Sequence, residues 1–248
     1  MNFLFYLAIF LLGFGAAFIT AISGGLGLII RPILLFLGIP APVVIATSRV
    51  TIIGDIPRLF ILHKHKQIDW GVALFLVIPY AIGSILSVFI VVLLPLKILE
   101  FCLGILLLIM AIFYLVNKNI GLVEKKSPFT LGISKIISFL GTLFISIIGT
   151  VVGGLGPIYT SLYIWAYGKS YIKAASVSHV SSFLGGLVGA IFFILSGLVD
   201  WYIAISLIFG LVFGFYFGTT YGLKKGENYV RYLIVIVAII AGIKLIFF

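Results

Sequence analysis

The feature that most constrains this chain is a series of long apolar runs, each long enough to cross a lipid bilayer. Such runs cover residues 3–22, 71–95, 98–116 and 201–223, and a helix needs about 20 apolar residues to span the hydrocarbon core. Charged residues make up 9% of the chain, against about 25% in soluble proteins, so no polar shell can form. The period-2 alternation of a membrane β-barrel is missing. The sequence therefore predicts an all-α integral membrane protein.

About eight long transmembrane helices, plus two short or re-entrant broken segments, account for nearly the whole chain of 248 residues. The first run lacks a preceding basic region and a following cleavage site, so we expect it to be retained as a helix. The single cysteine, Cys102, lies inside an apolar run and cannot form an internal disulfide. We expect a multi-pass protein of the cell membrane, surrounded by the lipid bilayer.

The formal charge of +10 would suggest nucleic acid in a soluble protein. Here the basic residues lie in short loops between apolar runs, where the positive-inside rule explains them. We therefore expect no nucleic-acid partner.

The chain consists of two copies of one unit, because several motifs recur in the same order at nearly constant offset. We expect a first transmembrane repeat over residues 1–116, a cytoplasmic linker over 117–128 and a second repeat over 129–248. The matched motifs are Gly24-Gly25-Leu26-Gly27 with Gly153-Gly154-Leu155-Gly156, Thr47-Ser48-Arg49 with Val177-Ser178-His179, Asp69-Trp70 with Asp200-Trp201, and Gly83 with Gly214.

The distribution of basic residues favours inverted copies, each crossing the membrane five times when the short segment is counted. With the N-terminus outside, nearly all basic residues fall at or near the inner face, and only Lys97 and Lys244 fall near the outer one. The inner residues are Lys64, Lys66, Lys118, Lys125, Lys126, Lys169, Lys173, Lys224, Lys225 and Arg231, with Arg31, Arg58 and Lys135 near the same side.

Each copy begins with a long helix that stops at its glycine motif, because glycine and proline do not continue a helix cheaply. A short segment follows, over residues 28–37 or 158–167, and then a long helix to about Leu62 or Leu195. Helix breaks at equivalent places in two halves are typical of transporter binding sites, and the helix start after a break favours an anion. The candidate glycines are Gly24, Gly25, Gly27, Gly153, Gly154 and Gly156. The alternative is that they only allow close helix packing.

Arg49 lies in the middle of its predicted span, where a charge is costly and usually functional. His179 is its approximate counterpart in the second copy, and Thr47, Ser48 and Ser178 add hydroxyl groups beside them. We expect these five residues to contribute to the binding of an anion. The alternatives are that Arg49 binds carbonyl groups freed at the helix breaks and that His179 is a packing residue.

Asp55 and Arg58 are three residues apart and can form an ion pair on one helix. That pair can be structural or functional, and we assign Asp55 to coupling. His179 titrates near neutral pH when unperturbed, so we assign it to coupling of proton movement as well as to binding.

Several constellations are missing from the sequence. It has no metal-ligand spacing, and no Lys-Ser/Thr follows either glycine motif as a nucleotide-binding loop requires. We expect no cofactor, no metal and no catalytic residue, and we therefore do not expect an enzyme.

The duplicated glycine motifs, the short segment with its prolines, Ala46-Thr47-Ser48 and the Asp-Trp pairs resemble the sulfite exporter TauE/SafE family. The likeness extends from about Gly13 to Leu245. It implies a multi-span carrier of small anionic sulfur compounds. The second copy departs from the pattern at Val177 and at 169–173.

We therefore expect a secondary transporter, and specifically an exporter, of sulfite or an organosulfonate, coupled to a proton or sodium gradient. A carrier of another small solute, such as a carboxylate, is the alternative, followed by an intramembrane enzyme or an assembly subunit. The expected partners are the small anion and the lipid bilayer, with a homodimer left open.

Overall fold

The computed structural model describes residues 3–22, 24–95 and 127–225, together with positions 97, 98, 101, 105, 109 and 112. Every regular element in these residues is helical. In chain order the helices are α1 (Phe3–Thr20), α2 (Gly27–Phe36), α3 (Ala41–Val50), a 3-10 segment (Thr51–Asp55), α4 (Ile56–Lys64), α5 (Trp70–Leu93), α6 (Leu131–Val152), α7 (Gly156–Tyr167), α8 (Tyr171–Leu195) and α9 (Trp201–Lys225).

Five of the described helices, α1, α5, α6, α8 and α9, are long and apolar enough to cross a membrane. The expectation of an all-helical, multi-pass membrane protein is thereby confirmed. The predicted span after residue 225, most of the one at 98–116 and most of the predicted linker lie outside the described residues.

The predicted long helix from residue 41 to about Leu62 is helical throughout, but it consists of α3, the 3-10 segment and α4 instead of one regular α-helix. Pro57 cannot donate a backbone hydrogen bond to the turn before it. A β-carbon added to Gly54 would lie 2.6 Å from Cβ of Leu211, so α9 presses against the chain at this point. The corresponding helix of the second copy, α8, is continuous and contains no proline.

The two copies interlock, because the first span of each copy packs against the last described span of the other. Helix α1 packs on α9, and its counterpart α6 packs on α5. Helix α5 also packs on α8, and α9 on the 3-10 segment and α4. These contacts are reciprocal, as they would be in a two-fold arrangement.

Close packing of α9 on α1 depends on glycines spaced four residues apart. A β-carbon on Gly210 would lie 2.2 Å from the carbonyl oxygen of Phe10, and one on Gly214 would lie 2.4 Å from that of Phe14. Small residues let helix backbones approach in this way inside membranes. Gly214 therefore has a packing role, and its repeat partner Gly83 similarly faces Ser146.

The recurring Asp-Trp pair marks the start of the last described span in each copy. The carboxylate of Asp69 accepts a hydrogen bond from the Val72 amide at 3.2 Å, and that of Asp200 accepts one from the Ile203 amide at 3.1 Å. Both aspartates are N-caps, which satisfy amides that lack a partner within the helix. Asp69 also accepts a hydrogen bond from Nζ of Lys169 at 2.5 Å, which joins the two copies.

We predict that the Asp69–Lys169 pair gives stability that depends on pH. Partial burial alone would raise the pKa of Asp69, but the hydrogen bonds from Lys169 and Val72 outweigh it and lower that pKa. A lowered pKa means that the contribution is complete above about pH 4, the unperturbed value, and is lost as pH falls through the folded-state pKa. Asp69→Asn should keep the cap and lose the ion pair, at a cost of roughly 0–1 kcal/mol.

Thermal unfolding of purified protein between pH 7 and pH 3 checks this prediction. Asp69→Ala should cost about 1 kcal/mol more than Asp69→Asn, because it also removes the cap. The ion-pair account would be wrong if Asp69→Asn kept the same acid-dependent loss of stability as the unsubstituted protein.

Candidate functional site

The two glycine motifs meet in the structure. A β-carbon added to Gly27 would lie 1.5 Å from the carbonyl oxygen of Gly153, and one added to Gly24 would lie 3.3 Å from Cα of Gly156. The contacts are again reciprocal, since Gly24 and Gly27 correspond to Gly153 and Gly156 in the repeat. Gly24 and Gly153 also have φ angles of +75° and +72°, a region that favours glycine.

A cavity of about 130 Å³ lies where the two motifs meet. A water molecule needs at least roughly 10–15 Å³ by this measure, so the space suits a small hydrated ion or an oxyanion. Asp55, assigned to coupling, also lines it. Ten of the eleven predicted binding residues line the cavity: Gly24, Gly25, Gly27, Ser48, Arg49, Gly153, Gly154, Gly156, Ser178 and His179.

Thr47 is the predicted binding residue that the structure places elsewhere. Its hydroxyl oxygen accepts a hydrogen bond from the backbone amide of Asp200 at 2.9 Å. Thr47 therefore holds the start of α9 against α3, and its side chain does not line the cavity. The second copy has Val177 at the equivalent position, which cannot make this bond.

Arg31 is the main cavity residue that the sequence analysis missed. It was placed near the inner face with the loop lysines, but it is 3% exposed and lines the cavity. Its Nη1 donates to the carbonyl oxygens of Thr150, at 2.8 Å, and Val151, and its Nε donates to Ser48 at 2.9 Å. Arg31 therefore satisfies the carbonyl end of α6.

His179 contacts the carbonyl end of the other broken helix, α1. Its Nε2 lies 3.2 Å from the carbonyl oxygen of Ile22, at the end of α1. Ile22 occupies the place in the first copy that Val151 occupies in the second. Each broken helix thus receives a basic side chain from the other copy at its carbonyl end. For this bond Nε2 carries the proton, since a carbonyl oxygen only accepts.

Arg49 does not bind the carbonyl groups at the breaks, a role that Arg31 takes. Its Nη1 and Nη2 form long hydrogen bonds to the hydroxyl groups of Tyr80, at 3.5 Å, and Ser84, at 3.3 Å. Its guanidinium carbon lies 5.4 Å from the centre of the Tyr80 ring, within cation–π range. Its Nε is buried and has no hydrogen-bond partner among the described protein groups.

Asp55 and Arg58 form the ion pair that their spacing predicts, and both side chains are buried. The Arg58 guanidinium carbon also lies 4.2 Å from the centre of the Phe215 ring. Three guanidinium groups and one carboxylate therefore line the cavity among the described residues.

Some backbone amides after the helix breaks donate hydrogen bonds to carbonyl groups of the turns and are not free to bind a ligand. The Leu28 amide donates to Gly25 at 2.9 Å, and the Tyr159 amide donates to Leu155 at 3.1 Å.

A comparison with family models matches residues 9–245 to the sulfite exporter TauE/SafE family. The chain belongs to this family. It is 26% identical to a probable membrane transporter protein of Haemophilus influenzae, over 96% of this chain and 93% of that protein. It is also 26% identical to one from Sinorhizobium, over 96% and 91%, and 24% identical to YfcA of Escherichia coli K12, over 94% and 86%. No solved structure matches.

We predict that Gly27→Ala abolishes the folded state, because the new methyl group would overlap the Gly153 carbonyl at the contact between the breaks. Gly132→Ala is the matched control, since a β-carbon on Gly132 has no neighbour within 4 Å among the described residues. Size-exclusion profiles and melting curves of both variants in detergent provide the measurement. A Gly27→Ala protein as stable as the Gly132→Ala protein would show that the two motifs do not touch.

Proposed function

We propose that the protein is a secondary transporter that exports a small sulfur-containing anion, such as sulfite or an organosulfonate, across the cytoplasmic membrane. Membership of the TauE/SafE family supports this proposal, as do the relatives that are named membrane transporters. A carrier of another small anion, such as a carboxylate, is the second candidate, because the cavity's charge alone does not select sulfur.

The observation that carries the proposal is the excess of positive charge around the cavity. Arg31, Arg49 and Arg58 line it, and Asp55 supplies the facing carboxylate. Arg58 pairs with Asp55, and Arg31 lies against the carbonyl end of a helix, whose dipole is negative. Arg49 forms no salt bridge within the described residues. A buried arginine that forms no salt bridge is costly in a membrane, and the one carboxylate of the cavity, Asp55, already pairs with Arg58. A bound anion would offset that cost.

Alternating access would follow from inverted copies related by an axis in the membrane plane. The reciprocal packing of the copies and the meeting of their helix breaks support a two-fold relation between them. The concentration of basic residues near one predicted face supports an axis in the membrane plane. Rocking of one copy against the other would then expose the cavity to each face in turn.

We predict that Arg49→Lys yields a folded, monodisperse protein that binds and transports sulfite at least about tenfold more weakly. Lysine keeps the charge but loses the planar fork that matches an oxyanion, and a hydrogen bond to a charged group is worth about 1.5–3 kcal/mol. Uptake of radiolabelled sulfite into proteoliposomes measures the effect. Lys135→Arg makes the reverse exchange outside the cavity and should leave transport unchanged.

Two results with the unsubstituted protein would contradict the transporter proposal, and two results with Arg49→Lys would contradict the role of Arg49. Unsubstituted protein that moves a carboxylate but not sulfite or a sulfonate would favour the second candidate, and protein that moves no anion would remove the transporter assignment. Normal sulfite binding by Arg49→Lys, or failure of that variant to fold, would remove Arg49 as the anion ligand.

We further propose that Asp55 and His179 couple anion movement to an ion gradient, with protons as the first candidate. His179 contacts Ile22 of the first copy and lines the same cavity as Arg58 and Asp55. A protonated His179 would therefore share the cavity with the guanidinium groups of Arg31, Arg49 and Arg58 and the one carboxylate, Asp55, and binding of an anion would favour its charged form. His179→Gln keeps an N–H donor and cannot titrate, so it should flatten the pH profile of sulfite uptake. An unchanged profile would remove His179 from coupling.

A further inference from the structure

The tyrosines of α7 form a ladder of hydrogen bonds with hydroxyl residues of α6. Tyr167 bonds to Ser138 at 2.7 Å, and Tyr163 bonds to Thr142 at 2.9 Å. From the first pair to the second, the residue number falls by four along α7 and rises by four along α6. The next pair in this register would be Tyr159 with Ser146.

That third pair does not form. The Ser146 hydroxyl donates to the carbonyl oxygens of Leu143, at 2.9 Å, and Pro79, at 3.4 Å. The Tyr159 hydroxyl is buried and forms no hydrogen bond of normal geometry with the described protein groups, although the Tyr80 hydroxyl lies close to it. Tyr159 is also the α7 tyrosine that lines the cavity. The ladder therefore leaves one hydroxyl unused at the edge of the cavity.

The unused hydroxyl lies beside the part of the cavity that Arg49 occupies. The Tyr80 and Tyr159 rings have centroids 5.4 Å apart, and the Tyr80 hydroxyl accepts the hydrogen bond from Arg49. The Nε groups of Arg49 and Arg58 are also buried without a hydrogen-bond partner in the part of the protein that the structure describes. Guanidinium N–H groups can only donate, and a phenol hydroxyl can donate. The ligand that would satisfy these groups carries several acceptor atoms.

We propose that the Tyr159 hydroxyl is a ligand of the transported anion. With the Nε group of Arg49, it selects anions that carry two or more acceptor oxygens over a single-atom anion. This inference rests on the proposed function, because it concerns an anion bound in the same cavity. An oxyanion can receive one donor on each of two oxygen atoms, whereas a halide presents one centre to both.

The test is binding of sulfite, nitrate and chloride to the purified full-length protein, measured by titration calorimetry. Tyr159→Phe should weaken the binding of sulfite and nitrate roughly tenfold or more, the effect of one hydrogen bond to a charged group. It should leave chloride binding within about twofold, so selectivity for the oxyanions falls. Tyr163→Phe is the matched control, because its hydroxyl is already paired with Thr142 one turn away. It should keep the selectivity of the unsubstituted protein.

A second variant probes the same hydroxyl from the opposite helix. A β-carbon added to Gly149 would lie 3.2 Å from the Tyr159 hydroxyl oxygen, so Gly149→Ala should displace that hydroxyl and reduce oxyanion selectivity in the same direction. If Tyr159→Phe cannot be purified as a folded protein, Gly149→Ala decides the question.

The outcomes separate this inference from the proposed function. Unchanged sulfite affinity in Tyr159→Phe would overturn the inference, as would an equal loss for sulfite and chloride or an equal loss in Tyr163→Phe. The transporter proposal would still stand if the unsubstituted protein bound and moved sulfite. Binding of nitrate but not sulfite by the unsubstituted protein would leave the Tyr159 assignment intact and remove the sulfur substrate. Binding of no oxyanion would remove both.

Discussion

A helix that stops inside a bilayer leaves carbonyl groups that only other protein groups can satisfy, because the hydrocarbon supplies no donors. Both first spans of the repeat, α1 and α6, stop at glycine motifs. Arg31 of the first copy satisfies the end of α6, and His179 of the second copy satisfies the end of α1. The other structural features of the site depend on this crossed arrangement, because it fixes the breaks against each other.

The crossed arrangement accounts for the packing as well as for the charge. Contact between the glycine motifs requires the two copies to interlock, and the pairing of α1 with α9 and α5 with α6 achieves this. It also brings arginines from α2, α3 and α4 to one cavity with one carboxylate. A movement of one copy would change the surroundings of both breaks at once, which is the behaviour that the proposed transport requires.

Much of the site could be predicted from the sequence because its essential signal is duplication. A motif that recurs after 129 residues predicts equivalent places in two copies, and the structure brings the two glycine motifs together. Arg49 and His179 stood out because each is ionisable within an apolar helix. The Asp-Trp pairs mark the repeat in the sequence, and in the structure the aspartate of each pair is the N-cap of the helix that follows.

The missed features depend on tertiary contacts. Arg31 lies in a short segment with loops nearby, so its sequence surroundings resemble those of the loop lysines. Its partners, Thr150 and Val151, are about 120 residues away. The 3-10 segment before α4 coincides with Pro57 and with close contact between Leu211 and Gly54. The sequence shows only the proline. Thr47 looked like a binding residue beside Arg49, but consecutive helix residues point in different directions, and its hydroxyl meets Asp200.

The central claim is that the cavity between the two glycine motifs holds an oxyanion. Selenite has the shape of sulfite, and its selenium atom can be located by anomalous diffraction from crystals grown with it. The account predicts one strong anomalous peak in this cavity, with selenite oxygens within about 3.2 Å of the Arg49 side chain, a normal hydrogen-bond distance. An empty cavity, or selenite bound elsewhere in the membrane region, would contradict it.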